Sequence, residues 1–463
     1  MNNLGVSGIF TWEGIDRFLL LRDYNTRVVV LGAVLLGIAG GLIGTFMLLR
    51  KRALIGDALS HATLPGIALA FMIATAGGFE AKSLPLLLTG AAASGLVGIL
   101  MVLLLRGATR IKEDSAMGIV LSVFFGAGIA LLGVAQRMPQ GHSAGLESFI
   151  YGKTASMVAS DSLLIAIVAG CTAAMSILLY KEFRLVCFDS SYARSQGWPV
   201  AALDIVLMAM VTLVTVIGLQ AVGLVLVIAL LVIPAAAARF WTHRLWKMLA
   251  ISATAGAISC YIGTMASAML PNLPSGAMVV LAAALVFGLS MVFGPAGGLL
   301  QRLRNYRHLL RVTSRQNVMR ALYELIETQV GDDRAPVHIP AVAFDRLLAK
   351  RTWSVRQLRR ELRKCQSDGL VVGIGRTDWR PTLTGLVEAR RVARQHRLWE
   401  LYLITWADVA PNHVDRSADM IEHVLGDELV AQLEAMLDNG AEQKPPRSPH
   451  EINGKDAGHV ANA

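Results

Sequence analysis

Nine apolar runs, at about 28–49, 55–76, 84–105, 115–136, 161–180, 200–218, 221–238, 247–269 and 275–293, constrain this chain more than any other feature. A helix that crosses a bilayer needs roughly 20 predominantly apolar residues. Soluble cores do not supply so many runs of this length, so residues 1–300 read as an all-α polytopic membrane domain of about nine spans. The runs at 200–218 and 221–238 form one long apolar stretch around Gly218–Gly223, divided because two spans of minimal length fit it. The runs are rich in Gly and Ala, which suits close helix packing in lipid. Lys and Arg in short loops set the orientation. Arg50-Lys51-Arg52, then Arg106, Arg110 and Lys112, then Lys181, Arg184 and Arg194, then Arg239, Arg244 and Lys247 fall in alternate loops, whereas the other loops carry few, notably Lys82, Arg137 and Lys153. Nine spans with the N-terminus outside and the C-terminus inside satisfy this alternation. The expected location is the cell (inner) membrane, multi-pass, with a cytoplasmic C-terminal part. Glu13, Asp16 and Arg17 interrupt any short apolar run at the start, so no signal peptide is expected.

The remainder is a different material. Only 16% of the 463 residues are charged, against roughly 25% in an ordinary soluble domain, and these charges are unevenly spread. From Arg302 to Glu400 there are 21 Lys and Arg against 10 Asp and Glu. A net charge of +10 is compatible with nucleic acid, anionic lipid or basic cytoplasmic loops as neighbours. Cys171, Cys187, Cys260 and Cys365 stand far apart without a CxxC pair, which excludes a disulfide framework and a cysteine-rich zinc site.

One motif inside the membrane demands chemistry. Gly56-Asp57-Ala58-Leu59-Ser60-His61-Ala62-Thr63-Leu64-Pro65-Gly66 opens the second apolar run. A charge within a spanning helix costs at least ~2.5–3.5 kcal/mol on insertion scales and usually faces a cavity. Asp57 and His61 are four apart, on one helical face. A carboxylate and an imidazole so placed can share a divalent cation; the alternative is an Asp–His hydrogen bond that locks helix packing without metal. The motif resembles the signature of the permease subunit of ABC-type importers for zinc, manganese or iron. Further stretches agree in order across about 28–300: Glu147-Ser148-Phe149-Ile150-Tyr151-Gly152, Phe188-Asp189-Ser190-Ser191-Tyr192-Ala193-Arg194-Ser195-Gln196-Gly197, Leu231-Val232-Ile233-Pro234-Ala235-Ala236-Ala237-Ala238 and Leu273-Pro274-Ser275-Gly276. The resemblance implies a dimeric or paired permease, a separate cytosolic ATPase and an extracytoplasmic metal-binding protein. It makes Asp57 and His61 the metal pathway, and Phe188, Asp189, Ala193 and Gly197 the contact that couples to the ATPase. The span count places the Asp57–His61 pair toward the cytosolic side. Gly152-Lys153-Thr154 is not a P-loop, because that motif requires glycine where Glu147 stands. No nucleotide is expected on this chain, which is a transporter subunit rather than an enzyme.

The second part reads as soluble and basic. Gln316–Thr328 is expected to be a helix with Val318, Leu322 and Leu325 on one stripe. Ser354 is a plausible N-cap for an amphipathic helix over Ser354–Lys364, with Val355, Leu358 and Leu362 inward. Arg356, Arg359, Arg360, Arg363 and Lys364 are then the DNA-binding candidates. Gly369–Val372 leads into a short ribbon through Trp379-Arg380-Pro381. Helix followed by hairpin is the winged form of helix-turn-helix; a basic helix facing anionic lipid is the alternative. Leu383-Thr384-Gly385, Arg394-Gln395-His396-Arg397-Leu398-Trp399-Glu400 and Asp419-Met420-Ile421-Glu422-His423-Val424-Leu425 resemble, in order over about 312–440, the metal-dependent repressors of the diphtheria-toxin-repressor and manganese-regulator family. His396 and Glu400 lie four apart, and Asp419, Glu422 and His423 stand at i, i+3 and i+4; such nitrogen and oxygen donors suit manganese, iron or zinc, whereas the alternative is surface charge on amphipathic helices. The family takes a further ligand from its first helix, where this chain has Asn317, and one branch has histidine where this chain has Asp415, with His413 nearby.

The expected organisation is a permease domain at 1–300, a soluble α+β winged helix-turn-helix domain at 301–390, metal-binding and dimerisation helices at 391–440 and a disordered tail at 441–463. The expected function is a permease importing a divalent transition metal (Mn, Zn or Fe) with a metal-responsive, DNA-binding-like tail. The rival is a membrane-anchored metal-dependent regulator whose helical part is mainly an anchor.

Overall fold

The computed structural model describes residues 24–52, 55–78, 83–138, 157–269, 273–330, 339–375 and 377–406. The chain divides into two compact units, Met1–Arg302 and Leu303–Ala463. The first contains helices α1 (Tyr24–Leu49), α2 (Ile55–Ala76), α3 (Leu84–Ala108), α4 (Glu113–Gln136), α5 (Ala159–Leu178), the short α6 (Tyr180–Phe188) and α7 (Ser190–Ser195), then α8 (Val200–Val222), α9 (Leu224–Arg239), α10 (Leu245–Met269) and α11 (Ser275–Phe293).

Among the described residues, eight helices are long and apolar enough to cross a membrane: α1 to α5, α8, α10 and α11. The ninth expected span, at 221–238, is not among them. Helix α8 runs on to Val222, and Gly223, at φ +86, breaks the helix and lets α9 begin at Leu224. Helix α9 is left with 16 residues. At 1.5 Å per residue that is about 24 Å, short of the roughly 30 Å hydrocarbon core. Its flanks are covered by protein: Leu226, Val227, Leu230, Leu231, Pro234 and Ala235 are buried. A short helix is tolerated at membrane depth when neighbouring helices surround it.

Close helix approach explains the glycines. A Cβ on Gly37 of α1 would stand 2.6 Å from the carbonyl oxygen of Gly256 on α10, and Gly256 meets Gly37 in the same way. Nearby, Ser252 of α10 donates its hydroxyl to the Gly41 carbonyl at 2.7 Å. Small residues that let backbones touch, with hydroxyls bonded across them, are how helices associate where lipid removes the hydrophobic drive.

The second unit contains helix α12 (Leu299–Val330), which begins at the end of the first, then β1 (Val342–Ala343), α13 (Phe344–Lys350), α14 (Val355–Ser367), β2 (Val371–Ile374), β3 (Asp378–Pro381) and α15 (Leu383–Trp406). The strands form an antiparallel sheet in the order β1-β3-β2, with Val372 opposite Arg380 and Val342 opposite Trp379. Val318, Leu322, Leu347, Leu358, Leu362, Val371 and Leu386 make its core. Two features differ from the sequence reading. Helix α12 is continuous from Leu299, because no Gly or Pro interrupts it, where Gln316–Thr328 was expected. Val355, expected inward, is exposed, since the first turn of α14 overhangs the core and Leu358, Leu362 and Cys365 take the inward face. Helix α15 runs unbroken from Leu383 to Trp406.

Candidate metal sites

Asp57 lies in the first turn of α2, where the positive end of the helix dipole favours a carboxylate. His61 is one turn later; its Nε2 stands 3.4 Å from Asp57 Oδ1. The imidazole packs edge-on against Phe125 of α4, with ring centroids 4.7 Å apart and planes at 78°. Its Nδ1 is buried and has no hydrogen-bond partner among the described residues. Buried polar atoms are nearly always satisfied in native proteins. The N and O donors that share one face are Nε2 and the half-buried carboxylate, while the orphaned Nδ1 points away from Asp57. With α1 ending at Leu49 and α2 starting at Ile55, the pair sits at the end of α2 next to the Arg50-Lys51-Arg52 loop.

That loop is less free than its charge suggests. Arg50 donates to both carboxylate oxygens of Asp204 at 2.7 Å and to the Val186 carbonyl at 2.9 Å, and Arg52 Nη1 lies 3.2 Å from Asp204. The end of α1 is thereby tied to α6 and to the N-terminal part of α8. The ion pair was missed in the sequence, although Asp204 is an acidic residue inside an apolar run and so carried a signal.

The four residues expected to contact an ATPase occupy the segment that this ion pair holds. Asp189 accepts from the backbone N–H groups of Ser191 and Tyr192, at 3.0 and 2.8 Å, and so caps α7. Ala193 is fully buried beneath it, and Gly197 turns the chain at φ +78. Three of the four residues therefore shape the segment, while Phe188 projects outward with Tyr192 and Trp198 as exposed aromatics.

In the second unit, Arg356, Arg359, Arg360, Arg363 and Lys364 line one exposed, shallow concavity on α14, capped by Ser354, which accepts from Gln357 N–H. Two of them have partners: Arg359 lies over Phe344 at 5.6 Å, and Lys364 pairs with Glu361 at 2.7 Å. On α15, His396 and Glu400 meet as their spacing requires, Nε2 to Oε1 at 3.0 Å, both buried. The other ring nitrogen, Nδ1, lies 2.6 Å from Arg320 Nη1 of α12. Asn317, aligned with the first-helix ligand, accepts from Arg351 at 2.8 Å. Asp419, Glu422 and His423, with His413 and Asp415, lie outside the described residues, as do Glu147–Gly152 and residues 441–463. Among the described residues no three His, Cys, Asp or Glu side chains converge as a metal cluster. The described part of the tail's donor set therefore does not fit an ion: a guanidinium already faces the lone pair that the ion would take.

Residues 22–294, more than half of the chain, match the model of the ABC 3 transport family. The chain belongs to this ABC 3 transport family. Its relatives include the manganese transport system membrane protein MntC of Bacillus subtilis, 37% identical over 393 residues, covering 85% of this chain and 87% of that protein. The zinc transport system membrane protein TroC of Treponema pallidum is 40% identical over 290 residues, covering 63% of this chain and 96% of TroC. Among solved structures, PsaBC from Streptococcus pneumoniae in complex with Fab matches with a TM-score of 0.54 at 30% identity, covering 63% of this chain and 99% of that one. Residues 382–451 match the metal binding and dimerisation domain of iron dependent repressors. A family permease is thus joined to a regulator-like module. The match to MntC, at 393 residues, is long enough to extend into that module, whereas the match to TroC spans 290 residues.

Proposed function

We propose that this ABC 3 family member is the permease of an importer for a divalent transition metal, manganese or zinc first and iron as the third candidate. It works as a pair of permeases, driven by a separate ATPase and fed by an extracytoplasmic metal-binding protein. The observation that carries this reading is His61 Nε2 facing Asp57 Oδ1 at 3.4 Å within an apolar helix, with the buried Nδ1 left without a hydrogen-bond partner among the described residues. Nitrogen and carboxylate oxygen together suit these metals, and relatives named for manganese and zinc transport support the choice. The pair's place at the end of α2 makes it the exit half of the pathway under the loop-charge orientation, which puts the C-terminus in the cytoplasm. Phe188, Tyr192 and Trp198 form the surface on which the ATPase docks, with Asp189, Ala193 and Gly197 setting its shape. Uptake of radioactive manganese or zinc by cells lacking their own importer tests the reading. The complete transporter should restore uptake and the Asp57→Ala, His61→Ala double variant should fall to background. Equal uptake by both would remove the pair from the pathway.

The tail, in this reading, is a winged helix over 301–390 followed by dimerisation and effector helices over 391–440. Helix α14 enters the major groove and the β2–β3 hairpin is the wing. Its solvent-facing arginines support phosphate contact, and Asp419, Glu422 and His423 are the donors through which a divalent effector acts. Promoter binding by the full-length protein should weaken steeply with salt, as phosphate contacts require. Binding no stronger to the transporter's promoter than to random DNA would contradict a regulatory role.

A further inference from the structure

Helices α12 and α15 are joined by a buried hydrogen bond and a part-buried ion pair. Arg320 is 5% exposed, His396 and Glu400 each 2%. Arg320 donates through Nε to Glu324 at 2.7 Å, and Glu324 also pairs with Lys350 at 3.1 Å. One helical turn further along α12 and back, Arg397 donates to both carboxylate oxygens of Glu327, at 2.7 and 2.6 Å. The guanidinium of Arg320 is therefore held from behind while Nη1 faces His396.

The proton arrangement follows from the donors. A guanidinium has only N–H groups and stays protonated in proteins, so it donates to His396 Nδ1. The ring is then the tautomer with its proton on Nε2, and that N–H donates to Glu400. Both nitrogens of His396 are occupied, one as acceptor and one as donor. A metal ion needs a ring nitrogen with its lone pair free. The Nδ1 lone pair is spent on Arg320, and the Nε2 position bears hydrogen.

We propose that Arg320 is a built-in cation that takes the place of a divalent ion at the His396–Glu400 end of the tail's metal-binding module, so that this end is closed to metal and α12 and α15 are held together without it. An ion entering there would have to displace a permanent positive charge from a buried site, leaving Glu324 and Arg320 to lose their pairing. Removing one partner from a buried pair is strongly unfavourable. Asn317, one turn before Arg320, points the same way: its side-chain oxygen is taken by Arg351. Any effector ion in the tail is then confined to the Asp419, Glu422 and His423 end, which makes His396 and Glu400 structural residues in this chain.

Manganese binding to the purified full-length protein decides, with Asp57→Ala and His61→Ala present throughout so that the membrane pair is silent. Equilibrium dialysis gives the number of Mn²⁺ ions per chain, and calorimetric melting of the tail reports folding. With Arg320 in place, His396→Asn and Glu400→Gln should leave the ion number unchanged. Arg320→Glu should add one ion per chain and make tail melting rise with Mn²⁺, and a further His396→Asn should remove that gain. Where Arg320→Glu does not melt cooperatively, the two substitutions made with Arg320 present decide alone. One ion fewer per chain in folded His396→Asn or Glu400→Gln protein would overturn the proposal. A protein that binds no Mn²⁺ until Arg320 is replaced would support it while ending the effector role of Asp419, Glu422 and His423, so the two readings fail separately.

Discussion

The two units treat a histidine four residues from a carboxylate in opposite ways. In the membrane, His61 approaches Asp57 with one nitrogen and keeps the other buried and unpartnered among the described residues. In the tail, His396 gives one nitrogen to Glu400 and the other to Arg320. Both histidines stand four residues from a carboxylate on one helix, so their sequence spacing is the same. What separates them is a third residue: Phe125, which offers no donor, beside the first, and an arginine beside the second. Spare coordination where polar groups are costly is the mark of a site that handles something. Full satisfaction is the mark of structure. Packing divides along the same line, with glycine contacts closing the membrane helices and ion pairs closing α12 on α15.

The largest effect is expected from the packing side of that contrast. Gly37→Leu places carbon atoms against the backbone of Gly256, where nothing flexible can yield. Folded, detergent-stable protein should disappear on size-exclusion chromatography. An equal yield of monodisperse protein would mean that α1 and α10 do not pack this closely. Asp204→Ala comes next. It removes the carboxylate that two largely buried arginines share, and breaking such a pair costs about 3–5 kcal/mol. Thermal melting in detergent should fall accordingly, whereas an unchanged melting point would identify Arg50 and Arg52 as ordinary loop charges.

Acid should sharpen the comparison from the tail's side. Burial works to raise the Glu324 carboxyl, but Arg320 and Lys350 outweigh it and hold the group below the usual glutamate range. A carboxyl depressed in the folded state contributes stability above its unfolded value and loses it as pH falls toward the folded one. Tail melting should therefore be level near neutrality and drop below the ordinary glutamate range. Glu324→Gln should lower the neutral melting point and flatten the acid side. An acid limb that is the same with and without Glu324 would show that the α12–α15 contacts are not what acid breaks. The smallest effect belongs to the segment proposed to dock the ATPase. Asp189→Ala removes a helix cap, typically about 1 kcal/mol. ATP hydrolysis coupled to transport should fall while membrane insertion and yield hold. Intact coupling would place the ATPase contact elsewhere.

How much of this was readable from residues alone depends on whether a feature is local. The helical spans were, because an apolar run declares itself without its neighbours: 55–76 and 275–293 coincide with helices α2 and α11. The short α9 was only half readable. Gly218–Gly223 marked the place of the break, but Gly223 alone, through its positive φ, fixed where α8 stops and how little was left for α9. Asp57 with His61, and His396 with Glu400, were both found by i, i+4 spacing. Their different environments were not, because Phe125 and Arg320 arrive from other helices. An Arg320–Glu324 pair at i, i+4 reads as a surface ion pair until packing turns it toward His396. The strand β1 went unseen for a similar reason: two residues, Val342 and Ala343, carry no alternation and exist as a strand only through Trp379 and Asp378 opposite them.

The contrast between the two histidines is tested most directly by counting manganese on the otherwise unaltered protein, purified with its ATPase. One sample carries Asp57→Ala and His61→Ala, the other His396→Asn and Glu400→Gln, and electron paramagnetic resonance measures bound Mn²⁺ in each. The membrane pair should account for bound metal, so the first sample should hold fewer ions per chain than the parent and the second the same number. The reverse result, with metal lost from the tail variant and retained by the membrane variant, would contradict the assignment of both sites.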